Sequence, residues 1–96
     1  MENQIFLSKL FDYYGELLTD CQRKYFKDYY FDNLTLSEMS ENYQISRNAI
    51  HKTLKEATEK LLYYETKLKL LAKYEQIKTI IDKLDDDIKN KIFELI

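Results

Sequence analysis

The chain has 96 residues, 45% hydrophobic and 15% aromatic, so its length predicts one domain with a hydrophobic core. One glycine and no proline are too few turn residues for a β-rich fold and leave no glycine-rich phosphate loop. The formal net charge of -2, from 15 basic and 17 acidic residues, counts against tight non-specific binding to nucleic acid.

The composition also restricts the chemistry of the chain. Cysteine and histidine occur once each, as Cys21 and His51, which predicts neither an internal disulfide nor a structural zinc site. No apolar run is long enough to cross a bilayer, and the N-terminus lacks the basic start of a secretory signal, so we expect a cytoplasmic protein. Because no nucleophile and base can be paired, we expect neither an enzyme nor a bound cofactor.

Two helices are predicted in the first third of the chain. Apolar residues recur at steps of three and four between positions 5 and 18, which indicates a helix over about residues 2–16. Gly15 is expected to end this helix in the left-handed conformation. Thr19 and Gln22 have the spacing of a capping box and predict the start of the second helix.

The middle of the chain has two capped helix starts eleven residues apart, at Thr35 and Ser46. Thr35 forms a capping box with Glu38, and at each start the apolar residue before the cap is spaced to pack on one a turn later. A short helix and a tight turn between two such starts are typical of a helix-turn-helix. Gln44 replaces the usual Gly or Asn, which predicts strain in the turn or a different turn. The predicted core of the motif is Leu36, Met39, Tyr43, Ile45, Ile50 and Leu54.

Long helices are predicted after the motif. The apolar pattern of the fourth helix continues without a breaker as far as Asp85, with a bend expected between Thr66 and Leu70. Asp85 and the two acids after it are placed to start a final helix. A heptad-like apolar series spans the same region and consists of Leu70, Tyr74, Ile77, Ile81, Leu84 and Ile88. Such a series must be covered, either by a second subunit or by the first and fourth helices.

These patterns predict an all-α protein in which a helix-turn-helix domain precedes long C-terminal helices. We assign residues 1–66 to a helical domain with the motif at about 35–60, and residues 67–96 to a C-terminal helical extension that pairs two subunits. A symmetric homodimer of this kind would present two recognition helices.

Candidate DNA contacts lie on the second helix of the motif, which enters the major groove in DNA-binding proteins of this type. Its outer side is predicted to carry Arg47, Asn48, His51, Lys52 and Lys55. Arginine suits guanine, asparagine suits adenine, and lysine suits phosphate or guanine. Any amphipathic helix also exposes polar residues, so the sequence leaves open whether these five contact nucleic acid.

Candidate contacts to the phosphate backbone lie outside that surface. Arg23, Lys24 and Lys27 of the second helix could flank the groove, and Thr35 and Ser46 stand at the two helix starts. The alternative for the three basic residues is an ordinary solvated helix face. Residues 21–60 carry seven basic and six acidic residues, the one segment with a basic excess.

Three motifs of the chain resemble region 4 of bacterial sigma factors over about residues 17–62. They are Leu18-Thr19-x-x-Gln22-Arg23, Leu36-Ser37-Glu38-Met39 and Ile45-Ser46-Arg47-Asn48-Ala49-Ile50. The resemblance implies that Arg47, Asn48, His51 and Lys52 face the DNA groove. Gln44 departs from the sigma pattern, and so does the acidic run at residues 85–87, where promoter readers have a basic tail.

Most of the chain also resembles the YlxM-like family of small helix-turn-helix proteins. The residues that carry this resemblance are Leu10-Phe11-Asp12-Tyr13-Tyr14 before the motif and Leu62, Tyr64, Glu65, Lys67 and Leu68 behind it. The resemblance implies a cytoplasmic bacterial regulator without catalytic activity, linked by gene neighbourhood to the signal recognition particle and its GTPases. Two function classes remain: a DNA-binding regulatory homodimer, and an interaction module that binds a protein or RNA of the secretion machinery on the same scaffold.

Overall fold

A computed structural model describes residues 3–96, which form six α-helices and no β-strand. In chain order the helices are α1 Gln4–Tyr14, α2 Asp20–Phe26, α3 Leu36–Tyr43, α4 Arg47–Leu68, α5 Leu70–Ile81 and α6 Asp86–Phe93. A 3-10 turn (Gly15–Leu17) follows α1, and a π-helical turn (Lys27–Phe31) continues α2. The predicted all-α class is confirmed. None of these helices is both long and apolar enough to cross a membrane.

The helices of the motif begin at the predicted caps. The Thr35 hydroxyl accepts a hydrogen bond from the Glu38 amide at 3.0 Å, and the Glu38 carboxylate accepts one from the Thr35 amide at 3.1 Å. The Ser46 hydroxyl accepts a hydrogen bond from the third amide of α4 at 3.1 Å. Thr19 and Gln22 form the predicted capping box before α2. Because side chains close in sequence satisfy these free amides, the helix starts were readable from the sequence.

The turn between α3 and α4 contains a left-handed residue that is not glycine. Gln44 has φ 56° and ψ 41°, and its side-chain amide donates a hydrogen bond to the carbonyl of Glu41 at 2.7 Å. The Ser40 hydroxyl donates to the carbonyl of Ile45 at 2.5 Å and closes the turn from the other side. This geometry agrees with the expectation of strain, since a left-handed residue with a Cβ costs about 1–2 kcal/mol.

The end of α1 corrects the prediction for Gly15. Its φ is -56°, so it is right-handed and enters a 3-10 turn, and the expected left-handed cap was wrong. A steric contact favours glycine there instead, because a Cβ would lie 3.1 Å from the ring of Phe11. That ring stacks on Phe26 with centroids 4.6 Å apart and so holds α1 on α2. The helix starts at Gln4, and the predicted start at residue 2 lies outside the described residues.

Two hydrophobic clusters form the core, and α4 contributes to both. The turn cluster contains the predicted core of the motif: buried Met39, Ile50 and Leu54 with Tyr25, against which Leu34, Leu36, Tyr43 and Ile45 pack. The α1 cluster lies farther along α4 and consists of Leu7, Leu10, Tyr14, Leu18, Phe26, Tyr30, Ala57, Leu61 and Leu71. The first helix of the chain is therefore buried against the second half of α4.

The C-terminal region forms two helices joined to α4 by a single residue. Lys69 is left-handed, with φ 56° and ψ 30°, and separates α4 from α5 within the interval where a bend was expected. The heptad-like series does not follow one continuous helix, because α5 ends at Ile81 and α6 begins after Asp85. Asp85 caps α6, as predicted, by accepting a hydrogen bond from the Ile88 amide at 3.1 Å. No residue of α6 is buried.

Tyr43, the last residue of α3, contacts both α2 and the π-helical turn that continues it. Its hydroxyl donates a hydrogen bond to the carboxylate of Asp28, and its ring packs on Tyr25 with centroids 4.8 Å apart. Lys24 Nζ lies 4.5 Å from the centroid of the same ring. Burial and the hydrogen bond to Asp28 raise the pKa of Tyr43 to about 12.

We expect Gln44→Gly to raise the free energy of unfolding by about 0.5–1 kcal/mol, because glycine adopts the left-handed conformation without the steric cost of a Cβ. The matched control is Glu41→Gly, which puts glycine at an exposed position inside α3 and should lower stability by about 0.5 kcal/mol. Urea denaturation followed by circular dichroism measures both. Destabilisation by Gln44→Gly would contradict the strain assigned to the turn.

Alkaline pH should weaken the fold through Tyr43. The pKa of this phenol is raised from 10.0 to about 12 in the folded chain, so its stabilising contribution is complete below about pH 10 and is lost as the pH rises towards 12. Tyr43→Phe should lower stability at pH 8 and reduce the further loss between pH 8 and 11. Denaturation at a series of pH values tests this, with the exposed Tyr63→Phe as control. If the free energy of unfolding fell as much between pH 8 and 11 in Tyr43→Phe as in the parent protein, the prediction would be wrong.

Candidate nucleic-acid interface

The first turns of α4 present a polar surface to solvent, which we call the recognition surface. All of its members are exposed, and they are Arg47, Asn48, His51, Lys52 and Lys55. The opposite side of the helix consists of residues with 0% exposure, Ile50, Leu54, Ala57 and Leu61. The helical period thus separates the two sides along the whole motif. It leaves the five polar side chains free to meet a ligand.

Arg47 lies where the starts of α3 and α4 meet. It borders a shallow depression of about 460 Å³ that is also lined by Leu36, Ser46, Asn48 and His51. It also borders a second depression, of about 510 Å³, whose wall includes Thr35 and Ser37 from the start of α3. The two depressions share Leu36 and Arg47, so the two helix starts and the first residues of the recognition surface form one continuous area with polar and apolar walls.

The electrostatics at the start of α4 favour an anion. The positive end of its helix dipole lies there, and its first turn contains no acidic residue, whereas the first turn of α3 contains Glu38 of the capping box. Arg47 occupies the first helical position, where the dipole disfavours a cation by about 0.3–1 kcal/mol. A phosphate bound there would interact with both the dipole and the guanidinium, so it would relieve this unfavourable placement.

Thr35 and Ser46 already serve as caps. Their hydroxyl oxygens accept hydrogen bonds from Glu38 and Ala49 amides, while each hydroxyl hydrogen can still be donated outward. Both residues are exposed. A donor pointing away from a helix start is suited to a phosphate oxygen, so capping and backbone contact are compatible roles for both residues.

The three basic residues of α2 make contacts within the protein. Arg23 forms ion pairs at 2.5 and 3.5 Å with two carboxylates, and its side chain is 24% exposed. Lys24 and Lys27 lie over aromatic rings, with Nζ 4.5 and 5.9 Å from the ring centroids. Among residues 3–96, the side chains that line the two depressions at Arg47 do not include these three. Their observed contacts are thus with carboxylates and aromatic rings of the protein itself.

Some residues of this area were not singled out from the sequence. Ser37 and Asn33 line the larger depression beside Arg47. Ser37 is the second residue of α3, directly behind the Thr35 cap, and that position was the signal that could have identified it. Asn33 is left-handed, with φ 57°, and lies in the loop before α3. No group of three or more potential metal ligands occurs within the described part of the chain, residues 3–96.

Comparison with known proteins gives consistent matches. Residues 1–95 match the model of the UPF0122 family, described as "Putative helix-turn-helix protein, YlxM / p13 like". A UPF0122 protein of Listeria innocua is 40% identical over 87 residues, which cover 91% of this chain and 79% of the relative. A UPF0122 protein of Geobacillus kaustophilus is 38% identical over 91 residues, which cover 95% of this chain and 83% of the relative. A UPF0122 protein of Caldanaerobacter subterraneus is 41% identical over 84 residues, which cover 88% of this chain and 72% of the relative.

Proposed function

Because this chain belongs to the UPF0122 family of YlxM/p13-like helix-turn-helix proteins, we propose that it is a non-enzymatic, DNA-binding regulator of the cytoplasm. The observation that carries the proposal is the continuous area around Arg47, where two helix starts meet the recognition surface. In a helix-turn-helix that binds DNA, the first residues of the second helix contact base edges in the major groove. Here that start is exposed, and its first turn contains no acidic residue.

In this proposal the start of α4 enters the major groove. Arg47 pairs with guanine, Asn48 with adenine, and His51 reaches a base edge beside them. Lys52 and Lys55, farther along the same surface, bind phosphate or guanine. Thr35 and Ser46 donate their hydroxyl hydrogens to the backbone on either side of the groove. Arg23, Lys24 and Lys27 are proposed as outer backbone contacts that would exchange an ion pair or a ring contact for a phosphate.

The proposed assembly is a homodimer paired through α5 and α6. Several large apolar side chains of this region are exposed, namely Leu70, Ile77, Ile80, Leu84 and Ile88. α5 carries Lys73 and Lys78, while α6 begins with Asp86 and Asp87 behind the Asp85 cap, so an antiparallel pair would bring opposite charges together. Two recognition surfaces could then meet half-sites about 34–36 Å apart.

Replacing both Arg47 and Lys52 by Ala should weaken binding to mixed-sequence duplex DNA at least about tenfold, because two cations leave the recognition surface. The salt dependence should change as well, since each lost phosphate contact lowers the slope of log K against log salt concentration by about 0.9. Fluorescence anisotropy at several salt concentrations measures both quantities. The matched control is Lys67→Ala with Lys83→Ala, which removes the same charge from exposed positions outside this surface. Equal losses in the two double variants would show binding by net charge alone.

The dimer makes a separate prediction. Sedimentation equilibrium at tens of micromolar should give twice the 11.7 kDa chain mass, and Ile77→Lys should shift the protein to monomer because a charge would be buried in the pair. Gln76→Lys adds the same charge at the neighbouring exposed position and should leave the dimer intact. A monomeric parent protein would contradict the proposed pairing.

The second candidate is an interaction module that binds a protein or RNA of the signal recognition particle pathway. The net charge of -2 favours it, because DNA binding through phosphates usually accompanies a basic excess. A hydrophobic protein interface responds little to salt and should not depend on Arg47 or Lys52, whereas DNA binding depends on both. A pull-down from bacterial lysate, with and without nuclease, separates the two. Retention of a pathway component after nuclease, together with no affinity for duplex DNA, would favour the module.

A further inference from the structure

The start of α5 is held by side chains from other parts of the chain. Its N-cap residue, Lys69, is left-handed and makes no side-chain capping bond. The amide of residue 70 instead donates to the hydroxyl of Tyr14 at 3.1 Å, and the amides of residues 71 and 72 donate to the two carboxylate oxygens of Glu65 at 3.1 and 3.0 Å. The first three backbone amides of α5, which have no partner within their own helix, thus donate to side chains of α1 and α4.

Tyr14 and Glu65 also bind each other. The Tyr14 hydroxyl donates to Glu65 Oε1 at 2.6 Å, so the hydroxyl is a donor to α4 and an acceptor from α5 at the same time. Tyr14 is 1% exposed, and its ring belongs to the α1 cluster, which leaves the hydroxyl little freedom to move. The carboxylate stands at the positive end of the α5 dipole, where a negative charge is favoured.

α5 has further contacts along its length. Leu71, at its start, is buried in the α1 cluster, Ile81, at its end, is 2% exposed, and an exposed ion pair of 3.3 Å joins Lys9 of α1 to Glu75. Burial of apolar side chains is not directional and exposed ion pairs contribute little to stability, so the hydrogen bonds at the start of α5 are its principal directional contacts. α5 extends about 18 Å from this point, at about 1.5 Å per residue. A small change of angle at its start therefore becomes a displacement of several ångströms at Ile81.

We infer that Tyr14 and Glu65, with the amides of residues 70–72, form an α4–α5 joint that fixes the direction of α5 relative to the recognition surface. The two side chains are positioning residues: they bind none of the five side chains of the recognition surface, and of the exposed apolar residues of α5 they bind only the backbone amide of Leu70. In the dimer of the proposed function, on which this consequence rests, the joint sets the distance between the two recognition surfaces and so the half-site spacing that the protein accepts.

The joint can be tested by a distance measurement within one chain. Spin labels are attached at Glu59→Cys on α4 and Lys78→Cys on α5 in a Cys21→Ser background, and the labelled protein is diluted with an excess of unlabelled protein. Double electron–electron resonance should give one narrow distance distribution for the parent. Tyr14→Phe and Glu65→Ala should each broaden or shift it, and Glu65→Gln, which keeps one acceptor oxygen, should do so less than Glu65→Ala. Unchanged distributions in all three variants would overturn the inference.

Matched controls separate the joint from general effects of substitution. Tyr63→Phe removes a hydroxyl from an exposed tyrosine of α4, and Glu56→Gln removes a carboxylate from an exposed position of the same helix. Both should leave the distance distribution as in the parent. A change in the controls as large as that in the joint variants would also overturn the inference.

Amide hydrogen exchange gives a second, local readout. In Tyr14→Phe the amide of residue 70 should exchange about tenfold faster, and in Glu65→Ala those of residues 71 and 72 should do so, because each loses its acceptor. The amides of Ile50 and Leu54 should be unaffected, which shows that the rest of the fold is intact. Equal acceleration throughout the chain would mean that the variants only destabilise the protein, and would overturn the joint.

Neither measurement needs a dimer or DNA. A parent protein that is monomeric and binds no DNA would therefore contradict the proposed function and not the joint.

Discussion

The buried side of α4 is the constraint on which the other helices depend. Ile50 and Leu54 belong to the turn cluster, and Ala57 and Leu61 belong to the α1 cluster, so one helix supplies the centre of both halves of the core. With that side committed to packing, the opposite side at the start of α4 must face solvent. The position of the recognition surface is thus a consequence of how the protein is held together, whatever ligand binds there.

The predictions that succeeded rest on interactions between residues close in sequence. Capping at Thr35 and Ser46 and the core of the motif involve neighbours within a few turns, and their spacing is visible in the sequence. The same holds for the polar side of α4, which follows from the helical period once the buried side is known. The sequence therefore predicted the exposure of the recognition surface, whereas its contact with DNA stays a prediction.

The predictions that failed or were missing have separate physical causes. Gly15 was assigned a left-handed cap from its residue type alone, but the ring of Phe11 beside it provides a steric reason for glycine in a right-handed turn. The heptad-like spacing continued across positions 82–85, although the chain turns there and Asp85 starts a new helix. The bonds from Tyr14 to α4 and α5 join residues 51 and 56 positions apart, for which a single sequence offers no signal.

The division of the core between the two halves of α4 has a consequence for synthesis on the ribosome. The turn cluster is complete once Leu54 has emerged, because its other members precede that residue in the chain. α1 emerges first, yet its buried side requires Ala57, Leu61 and finally Leu71. Leu18, Phe26 and Tyr30 can meet α1 early, but its enclosure is complete only after Leu71 has emerged, when the turn cluster has already formed.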